Sequence, residues 1–245
     1  MLGLKPGLAV LLLTVVLLQL FHIRVAEAQA DSTCGYLNIT VSHSRQAELT
    51  MTCQALADVA AYFRDIDLWF EPNVSLMFSE KATEVSGQAP VGRSHGFFDE
   101  RESTIVMMRS SGSHPWGLRW NSELAASFLR HELVHMAVRL ILGDDQKKLR
   151  PEWHEFIAYS VQLELMSQSL RASILAKHSD VMAFASLSGI NEFTYRMDPA
   201  IFSIASFKTY RENGSKQLVR RLLRFELQPP PMSYPFTVLP GQIPE

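Results

Sequence analysis

Cysteine is nearly absent. Cys34 and Cys53 are the only two among 245 residues. Neither belongs to a C-x-x-C pair, which argues against a cysteine-built zinc site, and two are too few for a small scaffold stapled by many bridges. In an oxidising compartment such a lone pair forms one disulfide; in a reducing one it stays as two buried thiols. Excess charge of one sign is missing too, with 23 Lys and Arg against 25 Asp and Glu. A nucleic-acid partner would leave a basic footprint, so none is expected. No internal repeat is visible. No apolar run of spanning length follows Phe21, so the mature chain is expected to have no stable membrane span. The hydrophobic share, 47%, is ample for one globular core.

The two ends read differently from the middle. Residues 1–30 have the pattern of a signal peptide. Lys5 gives a short positive stretch, and residues 8–21 form an apolar run too short for a comfortable span. Ala26-Glu27-Ala28 and Ala28-Gln29-Ala30 then offer small residues at both cleavage positions. An uncleaved N-terminal anchor is the rival reading, given His22 and Arg24 behind the run. Residues 31–227 are then one exported domain, secreted or periplasmic, in which Cys34 and Cys53 pair. Residues 228–245 form a proline-rich tail without periodicity.

Between the ends, short strands come first and helices dominate later. Residues 36–43 alternate Leu37, Ile39 and Val41 with polar residues, a strand pattern. Residues 47–63 place Leu49, Cys53, Leu56, Ala60 and Phe63 at helical spacing. A second strand is expected over 74–78 and a hairpin from 96–99 and 104–108. Residues 80–92 read as a surface loop. Further helices are expected over 151–169, from Pro199 to Tyr210 behind an Asp198 cap, and over 215–225 with a basic face. That face is either simply solvated or turned to a membrane surface. The class is α+β.

The chemistry concentrates between Glu123 and Tyr159. His131-Glu132-Leu133-Val134-His135 is an H-E-x-x-H. On a helix, residues four apart share a face, so both imidazoles can reach one ion, with Glu132 beside a water on that ion. The context is helical. Asn121 or Ser122 is a good cap, Glu123 an acid for the first turn, and Gly143 a natural stop. A buried helix with two His and a Glu at this spacing needs something to satisfy them; hydrogen-bonded core histidines are the plainer alternative. Catalytic zinc usually takes three protein ligands. A metzincin extension would need Gly and His where Val138 and Ile141 stand, so that subclass is excluded. The third ligand is then sought behind Pro151, among Glu155, His154 and Glu152. Glu155 leads, because small Ala158 one turn on lets the two helices approach.

H-E-x-x-H, a polar loop, then P-x-W-x-E-x-x-A-Y resembles the gluzincin-type zinc metallopeptidases, and most the bacterial peptidase-MA-like group, over residues 105–226. The resemblance implies one Zn2+ per chain held by His131, His135 and Glu155, with Glu132 as general base in peptide-bond hydrolysis. It implies a zincin-like fold: a small twisted N-terminal sheet over the motif helix and a mainly helical C-terminal part. The sheet edge nearest the cleft would pair with an extended peptide or protein substrate. By resemblance that edge is Thr104, Ile105, Val106, Met107 and Met108; an ordinary core strand is the alternative. Tyr195 matches a cleft-facing tyrosine that stabilises an oxyanion, with His154 and His114 as other donors and core packing as its other role. One departure is Phe156, where the group carries Gly. It favours a second reading, a zincin-fold binding module with little or no activity.

Overall fold

The computed structural model describes residues 30–35, 37–80, 95–110 and 114–230. The signal-peptide pattern up to Gln29, most of the 80–92 loop and tail residues 231–245 lie outside them. The architecture is α+β, a five-stranded mixed sheet followed by a mostly helical remainder. The strands are β1 (Ala30–Cys34), β2 (Leu37–His43), β3 (Asn73–Ser79), β4 (Gly96–Asp99) and β5 (Thr104–Met108), in the order β1-β2-β3-β5-β4. β1 runs antiparallel to β2, β2–β3 and β3–β5 are parallel, and β4 closes antiparallel on β5. A parallel pair needs a crossover, and helix α1 (Gln46–Arg64) supplies it between β2 and β3.

β1 has no counterpart in the sequence reading. Its pattern is mostly exposed, and it begins where the signal-like segment ends. Cys34 at its end is bonded to Cys53 in α1, closing a loop of 19 residues. A loop of that size constrains the unfolded chain and stabilises the fold by about 3 kcal/mol. The bond also fits an oxidising compartment.

Among the described residues six α-helices follow: α2 (Ser122–Leu142), α3 (Pro151–Leu165), α4 (Gln168–Lys177), α5 (Glu192–Met197), α6 (Pro199–Glu212) and α7 (Lys216–Leu223). α2 starts where Asn121 Oδ1 accepts the Leu124 N–H at 2.9 Å and stops at Gly143, whose φ is +54°. A left-handed stop of that kind favours glycine. α2 is buried around most of its circumference, through Leu124, Phe128, Leu129, Leu133, Val134, Met136 and Val138. It is the central helix, packed against the sheet, α1 and α3.

Two helix boundaries differ from expectation. α3 ends at Leu165 because Met166 turns extended, and Ser167 then caps α4 by accepting the Leu170 N–H. α5, six residues long, is set by an Asn191–Thr194 capping box. α7 buries Leu218, Val219, Leu222 and Leu223, and its basic side is partly engaged. Lys216 pairs with Asp65 at 2.9 Å, and Arg224 donates to the Asp67 carbonyl at 3.0 Å. Among the described residues no helix is long and apolar enough to cross a membrane.

Candidate metal centre

α2 and α3 pack side by side, and their facing turns bring three donors together. His131 and His135, one turn apart on α2, place their Nε2 atoms 3.0 Å from each other. From α3, Glu155 Oε2 lies 3.4 Å from His131 Nε2, and Oε1 lies 3.6 Å from His135 Nε2. Two ligands each 2.0–2.1 Å from a tetrahedral ion stand about 3.3 Å apart. The three observed separations bracket that value. Among the described residues these three form the group of His, Cys, Asp or Glu side chains placed to hold one ion, with ligand atoms within 4.8 Å of one another.

The rival ligands are engaged elsewhere. Glu152 is buried and paired with Arg150 at 2.9 Å. His154 Nε2 donates to the Gln146 carbonyl at 3.4 Å, beyond the donor triangle but still on the cleft wall. His114 is exposed at the cleft lip. Phe156 is fully buried and packs on Trp153, with ring centroids 5.5 Å apart. It points into the core and does not line the cleft, so it takes no space from a ligand there.

Charge is arranged in opposite senses around the donors. Burial pushes the His135 imidazole down to about 4, leaving it neutral at pH 7. Burial would raise Glu155, but the charges of His135 and His131 and a hydrogen bond from Tyr195 outweigh it and hold the carboxyl at about 2. Burial pushes Glu132 up to about 7, with the Glu155 charge adding to it; the His131 charge and the Phe98 backbone N–H pull the other way. Neutral imidazole and ionised carboxylate are the forms that bind metal. A carboxyl near 7 is the form suited to proton transfer.

Glu132 lies against the sheet beside Gly96, where the Phe98 N–H of β4 is near enough to draw its carboxyl down. Register explains this. His95 accepts from Met108, so alternate residues Phe97 and Asp99 bond to β5, while Gly96 and Phe98 turn their backbone groups outward. Gly96 is needed for the close approach. A Cβ there would stand 2.6 Å from Met107 Sδ, 3.0 Å from the Val106 carbonyl and 3.3 Å from Glu132 Cγ. Gly96→Ala is expected to shift β4 off Glu132 while sparing the donors, leaving metal content unchanged and lowering turnover by on the order of 10–100-fold. Metal analysis alongside kcat measures this; unchanged turnover would remove Gly96 from the argument.

The edge expected at Thr104–Met108 requires correction. β5 pairs with β3 on one side and β4 on the other, so its backbone is already satisfied. Its core residues Ile105, Val106 and Met107 are buried. Among the described residues the outer strand is β4, and Gly96, Phe97 and Phe98 line a cleft of about 1070 Å³ that contains the three donors and Glu132. The opposite wall carries Tyr195, on α5, hydrogen-bonded to Glu155 and packed on Phe202 at 5.3 Å. Its ring is packed, and its hydroxyl is directed at Glu155 on the cleft side.

Two cleft residues, and a third buried behind them, have no place in the sequence reading. His95 stacks on Trp120 at 4.9 Å and meets Phe128 at 4.2 Å. Trp116 adopts φ +51°, unusual for a bulky residue, and is held by stacking on Phe128 and by its indole N–H donating to Ser203 Oγ at 2.7 Å. Gln162 lies behind His131, its Oε1 3.1 Å from His131 Nδ1. It stands seven residues after Glu155, two turns on along the same face, a spacing that could have revealed it.

The metal-free site has a measurable cost. A carboxyl raised from 4.5 to about 7 keeps, when folded, a proton that the unfolded chain releases between those values. Glu132 therefore lowers stability as pH rises from 4.5 to 7. In chelator, Glu132→Gln is expected to match wild type near pH 4.5 and to exceed it at pH 8 by on the order of 3 kcal/mol. Urea melts at the two pH values measure this; a variant no more stable at pH 8 would contradict it.

The chain belongs to a family of unknown function, DUF6639, whose model matches residues 39–228. No curated protein matches the chain, and neither does any solved structure.

Proposed function

We propose that this member of the family is an exported zinc-dependent peptidase of gluzincin type with a zincin-like fold. One observation carries the reading. His131, His135 and Glu155 converge at ion-binding spacing beside a buried Glu132, under the outer strand of a sheet. Two imidazoles and one carboxylate with an open fourth position are a donor set suited to zinc hydrolysis. Zinc held there supplies Lewis acidity, polarising a peptide carbonyl and making water a better nucleophile.

This chain's own residues do the rest. Glu132 takes the proton of the attacking water and passes it to the leaving amine. The Phe98 N–H keeps its carboxylate aimed while that happens. Tyr195, on the opposite wall, turns its single hydroxyl hydrogen from Glu155, once that carboxylate is engaged as a ligand, to the oxyanion; burial raises its pKa, so it stays a donor at neutral pH. An extended substrate lies along β4, bonding the outward backbone groups of Gly96 and the Phe98 carbonyl. Phe156 lies in the core and takes no space in the cleft, which supports catalysis over a binding module without activity.

Metal analysis of the purified mature protein, together with peptide hydrolysis with and without chelator, tests the proposal. About one zinc per chain and chelator-sensitive cleavage are expected. Full zinc loading with no cleavage across a broad peptide library would overturn the peptidase reading.

A further inference from the structure

His131 is the donor with a buried partner on its far side. Its Nδ1 lies 3.1 Å from Gln162 Oε1, and Gln162 Nε2 donates to Ser127 Oγ at 2.9 Å. Gln162 and Ser127 are both fully buried, so neither has water as an alternative partner. An amide oxygen only accepts, so His131 Nδ1 must carry the hydrogen. Tyr159 closes the imidazole from another side, with ring centroids 4.4 Å apart. The ring is thus held in plane by the amide and in position by the tyrosine.

We propose that Gln162 is a positioning residue that fixes His131 as the Nδ1–H tautomer and so presents the bare Nε2 to the ion. The proposal rests on the zinc reading above and deepens it. The choice of an amide has a consequence of its own. A carboxylate at this place would give the imidazole more anionic character and a tighter hold on the cation. Gln162 orients without adding charge, so Glu155 is the only ionised carboxylate in contact with the donors from α3.

Three arms test this, with zinc as the probe and zinc affinity measured by chelator competition. Gln162→Leu, with its fold checked by near-UV circular dichroism, is expected to weaken zinc by 10–100-fold. Gln162→Glu restores an acceptor at the same place and is expected to bind at least as tightly as wild type. If the Leu variant does not fold, the Glu variant decides alone. Nitrogen-15 chemical shifts of the wild type should show His131 protonated at Nδ1, and the folded Leu variant should lose that preference. A folded Leu variant with affinity within twofold of wild type would overturn the proposal, and so would a Glu variant weakened tenfold. If wild type binds no zinc at all, the metal reading fails, and the tautomer measurement still judges Gln162 separately.

Discussion

Under the peptidase reading, Glu132→Gln is expected to keep zinc and fold and to lose hydrolysis by on the order of 10²–10⁴-fold. The amide nearly reproduces the carboxylate's shape and still accepts from the Phe98 N–H, so β4 stays where it is. It cannot take a proton from water. Glu132 is not one of the three donors, so metal content is expected to match wild type. The measurement is kcat on any cleaved peptide, with zinc per chain determined on the same samples. Equal rates for the two proteins would mean that the proton is handled elsewhere, and the proposed role of Glu132 would fall.

His131→Ala, His135→Ala and Glu155→Ala are each expected to lose most of the zinc and all detectable activity. Each removes one of three ligands, and the remaining pair must hold the cation from two positions. His154→Ala is expected to keep the metal, since that ring is bonded to the Gln146 carbonyl. Glu152→Ala should separate stability from metal binding. It leaves Arg150 without its buried partner and lowers the melting temperature, yet zinc remains. An empty site in His154→Ala, with a full one in Glu155→Ala, would move the third ligand by one residue.

The parts of the site legible in the sequence are those written in local spacing. Asn121, Glu123 and Gly143 bound α2, and His131 and His135 share its face by simple periodicity. Glu155 was reached through Pro151 as a helix start and Ala158 as a close-packing position. The outer strand was not reached, because hairpin order does not say which partner β3 will take. A signal did exist. Ile105-Val106-Met107 is an unbroken apolar run, as expected of a strand covered on both faces, whereas β4 opens on Gly96. β1 and α5 were missed for another reason. Each is short and lacks apolar periodicity; one is specified by pairing with β2 and the other by its Asn191 cap.

The three donors and the base depend on different parts of the chain. His131, His135 and Glu155, on two neighbouring core helices, are placed to hold an ion. The amide that aims Glu132 belongs to a four-residue outer strand. Outer strands fray before cores unfold, so β4 can open while the helices stay closed. In that open form the three donors keep their places and Glu132 is untethered. An opening free energy of about 1.4 kcal/mol leaves roughly a tenth of the molecules in it at any instant. The competent fraction is then governed by a local equilibrium, independent of global stability. Hydrogen exchange at the Phe98 amide reads that equilibrium directly, and a peptide lying along β4 should slow the exchange as it binds.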